Sequence, residues 1–217
     1  FNLYANPFTT TVPPVTFQGR QQYLLQREKF EDKTTIADTT IKVGFGRWDL
    51  TSVTSYIDRS ILVSRDASAL TGSVSVDLGF PSAGVLLPSR LNDTTDLKSF
   101  TQELRLSSSG KGPMQWLVGA FYADTDRTYH QRLPTPGYDA YTNATLGAGT
   151  VAATANGFGP DSPYNADLPY KLKQTALFGE VSYDITNQLT ATAGGRYYDY
   201  KEERRFTSGG LFSDGNN

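Results

Sequence analysis

Between residues Ala176 and Tyr198 the side chains change character at every second position. Leu177, Gly179, Val181 and Tyr183 interleave with Ala176, Phe178, Glu180 and Ser182. After a short turn over residues 184–188, Leu189, Ala191, Ala193, Gly195 and Tyr197 interleave with Thr190, Thr192, Gly194 and Arg196. A period of two is the mark of a β-strand, whose successive side chains point to opposite faces. Here one face is apolar and the other carries Glu180 and Arg196. That is the pattern of a strand with lipid on one side and a polar lumen on the other.

The same rhythm predicts six strands, at about 33–45, 48–63, 99–108, 115–123, 172–184 and 189–200. In the third, Phe100, Leu104 and Leu106 oppose Thr101, Glu103, Arg105 and Ser107, and Gln102 alone breaks the alternation. The second and fourth are apolar on both faces. Trp48, Leu50 and Tyr56 stand against Val53, Ile57 and Ile61, and Trp116, Val118, Ala120 and Tyr122 compete with Leu117 and Phe121, so the lipid face of the 48–63 strand stays open. Reversals at Gly46, at Gly110–Gly112 and at Asn187 are short. The other connections are long: roughly 35 residues around Pro81 and Pro88, and roughly 45 from about Asp124 to Tyr170, more than a compact soluble domain usually leaves without structure.

The expected fold class is therefore all-β: a transmembrane antiparallel β-barrel of which these six strands are part, with long extracellular loops. Transmembrane barrels have at least about eight strands, so six belong to a larger wall or to an assembly of copies. Composition agrees. Only 38% of the 217 residues are hydrophobic, because half of each strand need not meet lipid. No run reaches the ~18–20 apolar residues of a spanning helix. Without cysteine there is no disulfide framework, no thiolate metal site and no thiol nucleophile. A net charge of −2 with no Lys/Arg run speaks against nucleic acid as a partner. Phe1–Tyr4 does not open a signal peptide.

Candidate sites follow from this layout. Glu103, Arg105, Glu180 and Arg196 are expected to face the lumen, either lining a substrate path or, more simply, pairing across strands to solvate a polar interior. Leu104, Leu177, Val181 and Leu189 are expected to face lipid, and Trp116, Tyr122, Tyr183 and Tyr197 to form an interfacial girdle. Tyr138, Tyr141, Phe158, Tyr164 and Tyr170 of the longest connection are candidate ligand-binding rings, since aromatic side chains offer large contact area with few rotors; the plainer alternative is that they pack the loop. His130, the one histidine, lies in that connection and reads as a solvated residue, because no further metal ligands or nucleophile motif accompany it. Asp124 and Asp126 lack the remainder of a calcium loop, and the glycine pairs at 147–149 and 157–159 lack the lysine of a phosphate loop. No catalytic residue, metal or cofactor is assigned.

Four segments carry a resemblance: WDLTSVTSY (Trp48–Tyr56), FTQELRLSS (Phe100–Ser108), WLVGAFY (Trp116–Tyr122) and ALFGEVSYDITNQLTATAGGRYY (Ala176–Tyr198). Together they resemble barrel hairpins of TonB-dependent outer-membrane receptors. The resemblance implies a barrel of about 22 strands closed by an N-terminal plug. It also implies a place in the outer membrane of a Gram-negative bacterium, and uptake of a scarce ligand such as an iron-siderophore complex, cobalamin or a carbohydrate. The implied partners are outer-membrane lipid, the small-molecule ligand, and the TonB energy-transducing complex, which acts through a plug region that this sequence does not show. Residues 1–217 then read as a partial barrel domain without catalytic activity. Two rival readings remain: a secreted β-sandwich acting as an adhesin or carbohydrate-binding module, and an outer-membrane barrel enzyme with its groups at one rim.

Overall fold

A computed structural model describes residues 24–213; Phe1–Tyr4 and the last residues of the tail lie outside the described part. Six long strands follow one another in a single sheet: β1 (Lys29–Gly44), β2 (Trp48–Asp66), β3 (Arg90–Ser108), β4 (Met114–Arg132), β5 (Asn165–Thr186) and β6 (Leu189–Arg204). Each pairs antiparallel with its sequence neighbours, in the order β1-β2-β3-β4-β5-β6, and the sheet is open, with β1 and β6 at its edges. A two-sheet sandwich is thus not what these strands build. No helix among the described residues is long and apolar enough to cross a membrane, which says nothing about crossing by strands.

The three short reversals lie at one end of the sheet. At the first, Phe45 N–H donates to the Trp48 carbonyl at 2.7 Å, and Gly46 takes φ +73°, a conformation that costs a residue without Cβ little. At the second, the Gln115 amide donates to the Gly110 and Gly112 carbonyls at 2.9 and 2.8 Å. The third leaves only Asn187 and Gln188 between β5 and β6, after a register shift near Asp184–Thr186.

At the other end the strands run on beyond their predicted limits. β3 starts at Arg90 instead of about 99, β4 ends at Arg132 instead of about 123, and β5 starts at Asn165 instead of about 172. The reason is chemical. Crossing hydrocarbon takes about 9–11 tilted residues, and a strand of 19 or 22 residues overshoots that. In the overshoot both faces are polar, as in Arg90–Asp96, so the hydropathy loses its period while the backbone ladder continues. His130 and Tyr170 accordingly lie on strands and not in a loop.

The long connections are ordered, again unlike the expectation. The first holds α1 (Ser68–Asp77) and α2 (Ser82–Val85); the second holds α3 (Tyr138–Leu146) and α4 (Thr150–Thr154). After β6 the chain returns as β7 (Thr207–Gly209), which pairs with Asn165–Asp167 of β5. These pieces make a small cap over the mouth of the sheet. Phe80, Val85 and Tyr138 form its buried centre, with Leu78, Leu87, Tyr141, Leu211 and Phe212 against them. Tyr138 meets Phe80 at 5.1 Å and Phe212 edge-on at 5.7 Å between ring centres.

Candidate functional site

Residues paired across an antiparallel ladder share a face. One row runs Ser52, Leu104, Ala120, Leu177, Tyr197; the adjacent row runs Val53, Glu103, Phe121, Ala176, Tyr198. Following this register, Glu103, Arg105, Glu180 and Arg196 lie on one face, and Leu104, Leu177, Val181 and Leu189 on the other. The apolar face is bare: Leu177 is 65% exposed and Leu104 46%. So large an uncovered apolar surface needs an apolar medium or partner.

The register also resolves the strands that are apolar on both sides. Leu50 pairs with Leu106 and Tyr56 with Phe100, which puts Trp48, Leu50 and Tyr56 on the apolar face; Val53 and Ile57 take the opposite one. On that apolar face Trp48, Trp116 and Tyr183 stand near the short turns, and Tyr56, Phe100 and Tyr122 near the far rim. Trp48 and Tyr56 are eight residues apart, roughly 26 Å along the strand, which at a strand tilt of about 40° spans roughly 20 Å of the ~25 Å apolar band of a membrane barrel. Gln102, the exception to the alternation, sits inside this band. Its amide accepts from Thr54 at 2.6 Å and donates to Ser52 at 3.0 Å. The polar group is therefore matched within the sheet, as an apolar environment requires.

On the opposite face Arg105 and Glu103 pair along β3. The expected pairing of Glu180 with Arg196 does not form. Arg196 stands opposite Phe178, and Glu180 opposite Gly194. Arg196 instead lies over the rings of Phe121 and Phe178, 5.2 Å from each centre. Gly119 makes this possible, since a Cβ there would overlap the Phe178 ring.

Nearer the mouth the same face carries a cluster that the sequence alone did not reveal. Asp93, only 7% exposed, receives the Arg65 guanidinium, the Tyr129 hydroxyl at 2.7 Å and the Gln131 amide at 2.8 Å. Burial, and then the hydrogen bond to the Asp93 carboxylate, pushes the Tyr129 phenol up to about 12. Beside it Arg127 stacks on Tyr170 at 5.2 Å, and Tyr198 and Tyr200 lie 6.5 Å apart. Guanidinium groups held against rings keep N–H donors free for an anionic group, and the rings offer flat apolar contact.

The five candidate rings do not converge. Tyr138 is 1% exposed, with its hydroxyl 2.9 Å from Ser75 Oγ, so it holds α3 against α1 and has no surface to offer. Tyr141 packs in the same cluster and fills the space where Gly84 would carry a Cβ. Phe158 lies under Arg132 at 4.9 Å. Tyr164 contributes its carbonyl to Leu133 N–H just before β5, and Tyr170 belongs to the Arg127 stack on the inner face. His130 is not solvated alone: its Nδ1 is 2.6 Å from Asp167, which Arg132 also contacts at 2.6 Å. Burial raises the Asp167 carboxyl, but the hydrogen bonds from His130 and Arg132 outweigh this and hold it below the usual range. No cluster of three or more metal-ligating side chains occurs among the described residues.

A single antiparallel sheet, short turns at one end, an ordered cap at the other, and one bare apolar face opposite a charged one, define part of the wall of a transmembrane-type antiparallel β-barrel. Among solved structures the chain is similar to the ferric yersiniabactin uptake receptor FyuA from Yersinia pestis, with a TM-score of 0.53 and 10% identity over 83% of this chain. It spans 25% of the length of that receptor. The siderophore receptor PiuA from Acinetobacter baumannii overlaps 83% of this chain and 30% of its own, at 12% identity and a TM-score of 0.35. At 10% identity the likeness to FyuA is one of fold. No protein-family model and no curated protein matches the sequence.

Proposed function

We propose that this chain forms part of the barrel of a TonB-dependent receptor in the outer membrane of a Gram-negative bacterium, working in uptake and not in catalysis. The charged face is the lumen, Glu103, Arg105, Glu180 and Arg196 line it, and the capped end is extracellular. The observation that carries this reading is the inner face at the mouth, where Arg65, Arg127, Tyr129 and Tyr170 stand together above a wall whose other face is bare. The Arg127 guanidinium stacked on Tyr170, with the neighbouring rings, suits an anionic, ring-bearing chelate better than cobalamin or a neutral sugar, and FyuA, the similar fold, is an uptake receptor for ferric yersiniabactin. Tyr164 and Phe158 then belong to the rim that first meets ligand. Energy would reach the barrel through a plug and the TonB complex.

The test is uptake by cells that carry the full-length receptor as their only outer-membrane route. Ferric catecholate, ferric hydroxamate, cyanocobalamin and a maltooligosaccharide are supplied in turn, with TonB present or deleted. Saturable, TonB-dependent accumulation of a ferric chelate is expected, reduced by Arg127→Ala. Accumulation of the sugar or the cobalamin alone would replace the ligand class, and TonB-independent entry of all four would overturn the receptor reading.

A further inference from the structure

Helix α1 is turned inside out. A surface helix ordinarily buries its apolar stripe and shows its polar one. Here Ser68, Thr71, Gly72 and Ser75 make the buried side, with Thr71 and Ser75 wholly enclosed, while Leu70 is 59% and Val76 53% exposed. The buried side is held by its own bonds: Ser75 Oγ lies 2.9 Å from the Tyr138 hydroxyl, and Ser68 Oγ accepts from Ser89 N–H at 3.0 Å. Rolling the helix over would break both, so the apolar side faces outward at a cost in hydration that a covering apolar segment would remove. Leu86, at the end of α2, is exposed as well.

We propose that this face of α1 is the docking surface for the chain's own segment ahead of Leu24, with Val15 and Phe17 laid against Leu70 and Val76. The contact would tie the approach to β1 onto the cap, whatever ligand the protein carries. Three observations point to this occupant. The first is where the segment starts. One carboxylate, Asp66, takes Ser68 N–H of α1 at 2.9 Å and, through its other oxygen, Gln26 N–H at 3.0 Å and Leu25 N–H. Arg90 Nε donates to the Gln26 side chain at 3.0 Å, and Asp66 N–H to Glu28 at 3.2 Å. The chain ahead of Leu24 therefore sets out beside the first turn of α1, with Leu24 and Leu25 themselves exposed there. The second is reach: the extended stretch from Phe17 to Leu24 covers up to about 25 Å, against about 15 Å for the length of α1. The third is chemistry. Phe8, Val12, Val15, Phe17 and Tyr23 supply apolar contacts, Arg20 is the one charged side chain before Leu24, and Asp77 is the one on α1.

The test is thiol labelling of the full-length protein with an uncharged maleimide. Residues 1–217 contain no cysteine, and any elsewhere in the protein is first replaced by serine, so Leu70→Cys supplies a single reactive thiol. Its labelling is expected to be about tenfold slower than that of Lys111→Cys, an exposed position in a short turn at the opposite end of the sheet. Adding Val15→Asp and Phe17→Asp, which makes the covering segment costly to bury, is expected to bring the rate back to within about twofold of the Lys111→Cys rate. Circular dichroism checks that each variant is folded. Where the doubly charged variant does not fold, mild oxidation supplies the readout, with an intramolecular disulfide expected from Phe17→Cys paired with Leu70→Cys or with Val76→Cys. Labelling of Leu70→Cys as fast as Lys111→Cys shows a bare face and overturns the proposal. So does slow labelling that Val15→Asp and Phe17→Asp leave unchanged, which assigns the cover to another part of the protein. Protection that is lost on dilution, or a disulfide formed only between molecules, assigns it to a second copy and overturns it equally.

Discussion

Arg196 and Phe178 face each other across β5 and β6, and the guanidinium carbon lies 5.2 Å above the centre of the Phe178 ring. The contact links a strand at the open edge to the interior of the sheet, because Arg196 also covers Phe121 of β4. A charge that hydropathy assigns to an ion pair is held by π faces. A double-mutant cycle on Arg196→Ala and Phe178→Ala is expected to give a coupling of about 1 kcal/mol. Urea unfolding of the detergent-solubilised protein measures it, and strictly additive losses would remove the stack from the account.

Gly119 and Gly195 look alike in the sequence and are predicted to behave oppositely. A Cβ at Gly119 would overlap the Phe178 ring and approach the Leu104 carbonyl at 2.8 Å, whereas nothing lies within 4 Å of one at Gly195. Gly119→Ala is expected to cost about 1–3 kcal/mol, the usual range for overpacking, and to reduce the folded fraction on unheated gels. Gly195→Ala should run as the unmodified protein does.

The cap is predicted to loosen without loss of the wall. Tyr138→Phe removes only the hydrogen bond to Ser75, about 1 kcal/mol. Tyr138→Ala also empties the space between Phe80 and Phe212, about 3–5 kcal/mol by analogy with large aromatic deletions. Limited proteolysis should then nick residues 67–89 and 133–164 in the alanine variant well before the phenylalanine one. Protection of both connections in Tyr138→Ala would show that the ring is not what closes the cap.

Acid is predicted to release the segment leading into β1. Asp66, at the outer end of β2, accepts from Ser68 N–H at 2.9 Å, from Gln26 N–H at 3.0 Å, and from Leu25 N–H. Burial raises its carboxyl, but these bonds, first those with Ser68, outweigh that and leave it lowered from 3.8. A lowered folded value means that the contribution is complete above the ordinary carboxyl range and is lost as pH falls through the folded value. Amide exchange at Leu25, Gln26 and Ser68 should therefore accelerate beyond its intrinsic rate only below about pH 4. Asp66→Asn should show the faster exchange already at pH 7.

Alternation of side chains determined, without any coordinates, that this chain builds an antiparallel wall with a bare face and a charged one. Leu177 and Val181 are on one side and Glu180 on the other because a strand leaves no other choice. The short reversals at Gly46, Gly112 and Asn187 then forced the long connections to the opposite end. Where both faces are apolar, as in Trp48–Asp66, periodicity has no contrast to read, and only pairing of Leu50 with Leu106 and Tyr56 with Phe100 assigned them. Where both are polar, as in Arg90–Asp96, the strand itself was invisible, and with it the Asp93 cluster. Contacts such as Tyr138 with Ser75, 63 residues apart, or Arg196 over Phe178, join side chains whose meeting depends on how separate strands and loops are brought into register. Local pattern therefore settles which way a side chain points, and tertiary structure decides what it meets there.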